Sequence, residues 1–281
     1  AQELECNFNM SGETVFHPED LELIESLLCE PKYKTGFDRN LWIWEEYTAG
    51  LTYMISADVA RGDGQDYSTF HVFKLETAEI VAEYKGKPTP DIFADILFQA
   101  GKEFGDCMLV VENNSVGWGV LSKLEEKAYP NLYYSRKTTH EHVETYQAEA
   151  TGVIPGFTTS SKTRPLVISK LEELIRNKLI NIKSRRLFNE MKTFVWENGK
   201  PQAMKKHNDD LIIACAIGCW VKETAFTVNQ RAVEYKKAFL TSMTSTSTEL
   251  NTSIPGMLAY KQKEKNKNKQ NYKDFVWLIK G

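Results

Sequence analysis

Between residues 53 and 84 three short apolar runs follow one another with only tight turns between them, and no other feature limits the fold as sharply. The runs at 53–59, 69–75 and 79–84 have the length and the β-branched and aromatic content of strands. Gly62-Asp63-Gly64-Gln65-Asp66 supplies turn chemistry after the first of them. Strands joined this closely run antiparallel, because a parallel return needs a crossover connection. The spacing predicts a meander.

The chain then alternates. Residues 91–104 carry helical apolar spacing at Ile92, Phe93, Ile96, Leu97 and Ala100, and 107–111 reads as a buried strand. Helices are expected over 116–127, 164–178 and 187–195, with a short strand at 132–134 and a turn at Asn198-Gly199. A polar stretch, 136–162, interrupts this order, and 209–222 is a final, almost wholly apolar helix that should be buried. Three meandering strands followed by alternating helices and strands is the order of an α/β, ribonuclease-H-like domain, a mixed central sheet flanked by helices.

Before that domain, 1–50 lacks clean periodicity and reads as a lead-in. Pro18-Glu19-Asp20 opens a short amphipathic helix, and Phe37, Trp42, Trp44 and Tyr47 are expected to pack the lead-in onto the domain at 51–240. Beyond it, 241–281 is rich in Ser, Thr and Lys and cannot bury enough apolar surface to order itself, although Phe275-Val276-Trp277-Leu278-Ile279 is apolar again.

Composition narrows function. A net charge of −3 over 281 residues means that any nucleic-acid surface is a local basic patch. The five cysteines, Cys6, Cys29, Cys107, Cys215 and Cys219, lack the short spacing of a zinc or redox site and point to a reducing compartment. No apolar run is long enough to cross a bilayer. Phosphate-loop and nucleophile-elbow signatures are missing too. Ala1 opens the sequence in a charged segment, as an excised piece of a longer polypeptide would.

Against this background three acidic positions stand out. Asp58 closes the run Met54-Ile55-Ser56-Ala57, Glu112 follows Met108-Leu109-Val110-Val111, and Asp209 and Asp210 open the apolar last helix. Carboxylates at the ends of buried elements are unfavourable unless a cation accompanies them, and three that converge cannot all ionise without one. Oxygen ligands favour Mg²⁺ or Mn²⁺, and two such ions could activate water and stabilise a leaving oxygen in phosphodiester cleavage. Each acid also has a plainer reading: Asp209 or Asp210 suits a helix start, and Asp58 a polar turn. Asp63 and Asp66 form a turn, since the remaining ligands of a calcium loop are missing. Basic residues gather late, at Lys183, Arg185, Arg186, Lys205 and Lys206, where a phosphate backbone would pass if the last helix delivers its acid to the metals. His207 suits either a ligand or a surface loop.

The stretch Ile55-Ser56-Ala57-Asp58-Val59-Ala60-Arg61-Gly62-Asp63-Gly64-Gln65-Asp66-Tyr67-Ser68 resembles the first nuclease motif of the large terminase subunit of tailed bacteriophages. Val110-Val111-Glu112-Asn113-Asn114-Ser115-Val116-Gly117 is similar to the second, and His207-Asn208-Asp209-Asp210-Leu211 to the third, with Asn208 standing between the histidine and the acid pair. The resemblance covers about residues 50–225, and Gln2–Cys6 with Ser11–Gly12 looks like that family's link from ATPase to nuclease. It implies a metal-dependent endonuclease that cuts concatemeric double-stranded DNA, with weak sequence specificity, at the start and end of genome packaging. Asp58, Glu112 and Asp210 would be the catalytic metal ligands and Asp209 a fallback. The implied partners are DNA, the portal protein, the small terminase subunit and the ATPase domain of the same chain, in the host cytoplasm and not on a membrane. A junction resolvase or related nuclease, and a non-catalytic module docking on DNA or the portal, remain the alternatives.

Overall fold

The computed structural model describes residues 14–114, 116–136, 144–145 and 153–222. The expectations for Gln2–Cys6 and Ser11–Gly12, for most of the stretch 136–162 and for the tail 241–281 lie outside these residues.

The meander forms as the spacing predicts. β3 (Tyr53–Asp58), β4 (Ser68–Lys74) and β5 (Glu79–Gly86) pair antiparallel in sequence order. After α2 (Pro90–Glu103), β6 (Met108–Val111) returns to lie parallel to β3, and α3 (Gly117–Glu126) follows. Two earlier strands, β1 (Tyr33–Thr35) and β2 (Leu41–Ile43), complete a six-stranded mixed sheet in the order β1-β2-β5-β4-β3-β6. Residue 50 is therefore not the sheet's boundary, as the lead-in reading had it. Three-residue strands are too short to show alternation, and only their pairing to β5 reveals them.

The lead-in also contributes α1 (Pro18–Leu27), whose Glu19 and Asp20 complement the positive helix start and whose Leu21 and Ile24 are buried. Val15 and Phe16 are buried, and Phe16 stacks on Phe194 at 6.1 Å. Of the four aromatics expected to dock this segment, three meet the domain: Trp44 is buried with its backbone N–H on the Val81 carbonyl at 2.8 Å, Trp42 lies 3.9 Å from the Arg186 guanidinium and Tyr47 packs on Tyr53 at 5.5 Å, while Phe37 is 84% exposed.

Alternation along the strands divides the core. Tyr53, Ile55, Ala57, Leu109 and Val111 pack with α2 and α3 on one face. Met54, Met108 and Val110 pack on the other. That second face carries α4 (Thr163–Arg176), α5 (Arg185–Lys192) and the final helix at 210–222, α6. Burial on both faces is why β3 and β6 read as continuous apolar runs.

The helix expected over 187–195 stops at Lys192, and Phe194-Val195-Trp196-Glu197 forms strand β10, paired with β11 (Lys200–Ala203). Asn198 and Gly199 both have positive φ, 53° and 73°, the geometry that a two-residue hairpin turn requires. Leu132 makes only an isolated parallel bridge to Leu109. β7 (Tyr134–Arg136) instead pairs with β8 (Glu144–Thr145) and β9 (Val153–Pro155) in a separate small sheet. Among the described residues no helix is long and apolar enough to cross a membrane.

Candidate metal centre

The register of the parallel pair sets two of the three acids side by side. Ala57 is opposite Val111, so Asp58 and Glu112 are the next residues on neighbouring strands, and the Glu112 N–H donates to the Ala57 carbonyl at 2.9 Å. Counting in twos from Met54 and Met108 places both carboxyls on the α6 face. Asp210 arrives there at the first turn of α6. Its carbonyl accepts from Thr69 Oγ1 at 3.0 Å, while His71 Nε2 meets the Leu211 carbonyl at 2.9 Å and Ser56 Oγ donates to the Ala214 carbonyl at 2.7 Å. Polar side chains on β3 and β4 thus fix the helix that carries the acid.

Each carboxyl has an orienting partner. Asp58 shares a hydrogen bond with Glu112. Asn114 Nδ2 donates to Glu112 Oε1 at 2.7 Å, and the Tyr67 N–H donates to Asp210 Oδ2 at 3.0 Å. The loop bearing Tyr67 is held by Lys87, which donates to the Gly64 carbonyl at 2.9 Å, and by Lys85 and Lys87 lying 4.6 and 4.4 Å over the Tyr67 ring. On the other strand a Cβ on Gly117 would stand 1.8 Å from the Glu112 carbonyl oxygen, so the chain can turn into α3 this close to Glu112 only at a glycine.

Glu112 and Asp210 are buried, at 6% and 8% exposure. Burial, with the charge and hydrogen bond of Glu112 and the charge of Asp210, pushes the Asp58 carboxyl well above the usual carboxylate range. Burial likewise lifts Asp210 to about 6, against the opposing Tyr67 N–H bond. Among the described residues no Lys or Arg forms an ion pair with any of the three. Nor are any three His, Cys, Asp or Glu side chains among those residues arranged as a ready-made cage. The acids converge without being pre-aligned. An all-oxygen set with excess buried negative charge nevertheless suits a hard divalent cation.

Asp209, the fallback, is committed elsewhere: Arg164 Nη2 lies 2.5 Å from its Oδ2. Two of the five expected DNA-binding residues are likewise spent inside the protein. Lys183 pairs with Glu45 at 2.7 Å and Glu79 at 3.6 Å. Arg186 pairs with the fully buried Glu83 at 2.7 Å, donates to the Asn40 carbonyl and stacks 3.9 Å from the Trp42 ring centre. Arg185, Lys205 and Lys206 are exposed. A cavity of about 270 Å³ lined by Lys85, Arg186, Asn189, Glu190, Lys206 and His207 includes none of the three acids. A larger one, about 660 Å³ between α1 and the end of α4, touches none of the three acids.

Sequence reasoning missed Glu190 and Lys85. Glu190 Oε2 accepts from the N–H groups of Leu211 and Ile212 at 2.9 and 3.3 Å, and Lys85 Nζ sits 2.5 Å from its Oε1. One signal was available: Glu190 lies on the same helical stripe as the buried Leu187, Phe188 and Met191.

A six-stranded mixed sheet in this order, with helices on both faces, is a ribonuclease-H-like α/β fold. Among solved structures the chain is similar to the large terminase nuclease from thermophilic phage G20c. The crystal structure with bound magnesium matches at 19% identity over 75% of this chain and 97% of that chain, with a TM-score of 0.56. The structure with bound cobalt gives the same values. The large terminase nuclease domain of Thermus phage P74-26 matches at 18% identity over 70% of this chain and 92% of that one, with a TM-score of 0.51. No family model and no curated protein sequence matches the chain. The fold is that of the large terminase nucleases.

Proposed function

We propose that this chain is a divalent-metal-dependent endodeoxyribonuclease that cuts concatemeric double-stranded viral DNA at the start and end of genome packaging, with weak sequence specificity. The observation that carries the reading is the approach of Asp58, Glu112 and Asp210 on the α6 face with no ion-paired Lys or Arg among the described residues. The likeness in fold to a terminase nuclease solved with magnesium and with cobalt supports it.

In this reading the three carboxyls hold Mg²⁺ or Mn²⁺, as two ions, and Asp209 stays with Arg164. Bound there, the ions would supply Lewis-acid stabilisation and a water acidic enough to attack a phosphodiester at neutral pH. The protein's own part is to orient ligands: Asn114 turns Glu112, and the Tyr67 N–H turns Asp210. Arg185, Lys205 and Lys206 offer exposed charge to phosphates, which favours contacts without base readout and cleavage that weakens as salt rises. The portal protein, the small terminase subunit and an ATPase domain on the same polypeptide are the proposed partners, in the host cytoplasm.

Purified Asp58→Ala, Glu112→Ala and Asp210→Ala variants test the assignment in Mg²⁺- and Mn²⁺-dependent nicking of supercoiled and linear DNA, with branched and hybrid substrates alongside. Each variant is expected to lose nicking while keeping its circular dichroism spectrum, and Asp209→Ala to retain it. Wild-type cleavage by any of the first three removes that residue from the mechanism, and a preference for branched or hybrid substrates points to a resolvase or hybrid nuclease.

A further inference from the structure

The first turn of α6 poses a competition. A helix start leaves backbone N–H groups without partners, and an acid in the first turn ordinarily turns back toward them. Asp210 stands at that position, yet its Oδ2 accepts from the Tyr67 N–H across the cleft at 3.0 Å. The helix's own donors at Leu211 and Ile212 are occupied by Glu190 Oε2, reaching over from α5. Glu190 is buried, at 5% exposure, and its other oxygen is held by Lys85. The same lysine lies over the Tyr67 ring, so the pair that satisfies the helix also braces the residue whose N–H aims Asp210.

Resting on the nuclease reading above, we infer that Glu190 is a positioning residue: by capping α6 from outside the helix it frees the Asp210 carboxyl to serve the metal centre alongside Asp58 and Glu112. Lys85 is its support. Without the Glu190 oxygen, Asp210 folds back onto the N–H groups of its own helix and leaves the cleft. Partners that orient a ligand in this way typically change metal affinity by roughly 10–100-fold when removed.

The test is calorimetric titration of Mn²⁺ into the full chain without DNA, so that the readout is metal affinity and not turnover. Glu190→Ala is expected to bind at least about tenfold more weakly than wild type. Glu190→Gln, which keeps an oxygen acceptor at the helix start, is expected to recover most of the affinity. Tyr129→Phe is the control: the Tyr129 hydroxyl donates to the Cys107 carbonyl at 2.6 Å on the opposite face of the sheet, so its loss removes a buried hydrogen bond without touching α5 or α6. Unchanged affinity in Glu190→Ala overturns the inference. Equal weakening in Tyr129→Phe overturns it as well, because the effect would then be general destabilisation. Glu190→Gln as weak as Glu190→Ala assigns the effect to charge and overturns it too. Wild type that neither binds Mn²⁺ nor nicks DNA overturns the nuclease reading, a result distinct from a binding wild type with an indifferent Glu190.

Discussion

Replacing Asp58 with Asn should make the metal-free protein more stable and metal binding worthless to it. Asp58 shares a hydrogen bond with Glu112, feels the charge of Asp210, and has no basic partner among the described residues. Two like charges about 4 Å apart repel by about 4 kcal/mol at an effective dielectric constant near 20. Part of that is already relieved, because the Asp58 carboxyl is held well above its ordinary range and retains its proton more readily. An asparagine keeps the volume and supplies an N–H donor to Glu112, so a net gain of about 1–3 kcal/mol is expected. For a domain of this size about 2 kcal/mol raises the melting temperature by roughly 4–8 °C. The assay is a pair of thermal melts, with chelator and with Mn²⁺. At a hundred times its dissociation constant, Mn²⁺ should stabilise wild type by about 2.7 kcal/mol and the variant by little, so the variant's advantage in chelator is largely cancelled or reversed. A variant that melts at or below wild type in chelator, or gains as much from Mn²⁺, refutes the electrostatic reasoning.

Two further outcomes follow from the same charges. Arg186→Ala strands Glu83, which is fully buried, and is expected to lose about 3–5 kcal/mol in urea denaturation; a loss under about 1 kcal/mol would show that the pair is not what compensates Glu83. Burial raises Glu190 from 4.5 to about 7, against the pull of Lys85, and Asp210 from 3.8 to about 6. The folded state therefore keeps protons that the unfolded chain has released, and stability falls as pH rises from about 5 to 7.5, by on the order of 3 kcal/mol from Glu190 alone. Urea midpoints across that range should show a slope that is shallower in Glu190→Gln and offset by Mg²⁺; a midpoint rising with pH contradicts it.

The sheet and the three acids were legible because each acid breaks an apolar pattern. Asp58 and Glu112 end runs that are otherwise buried on both faces, and strand parity sends them to the same side. What surrounds them was not legible. Lys183 and Arg186 look like a basic cluster along the chain, but their partners, Glu45, Glu79 and Glu83, come from more than 100 residues away. Local charge counting cannot see such pairs. Glu190 was hidden for the same reason, since the N–H groups that donate to it, at Leu211 and Ile212, belong to another helix. Phe194 and Val195, which open the hairpin at 194–203, were assigned to the preceding helix because they continue its amphipathic stripe, although Asn198-Gly199 marked the turn correctly.

Asp58 and Glu112 sit at the carboxyl ends of two hydrogen-bonded parallel strands, separated by the rung spacing of a sheet, about 4.8 Å. That distance belongs to the backbone ladder and not to any loop. Lengthening the turn at 59–67, or the helix between the strands, would leave it untouched. Inserting one residue within 54–57 or 108–111 would turn an acid to the opposite face, toward α2 and α3, where Leu109 and Val111 leave a charge nothing to bind.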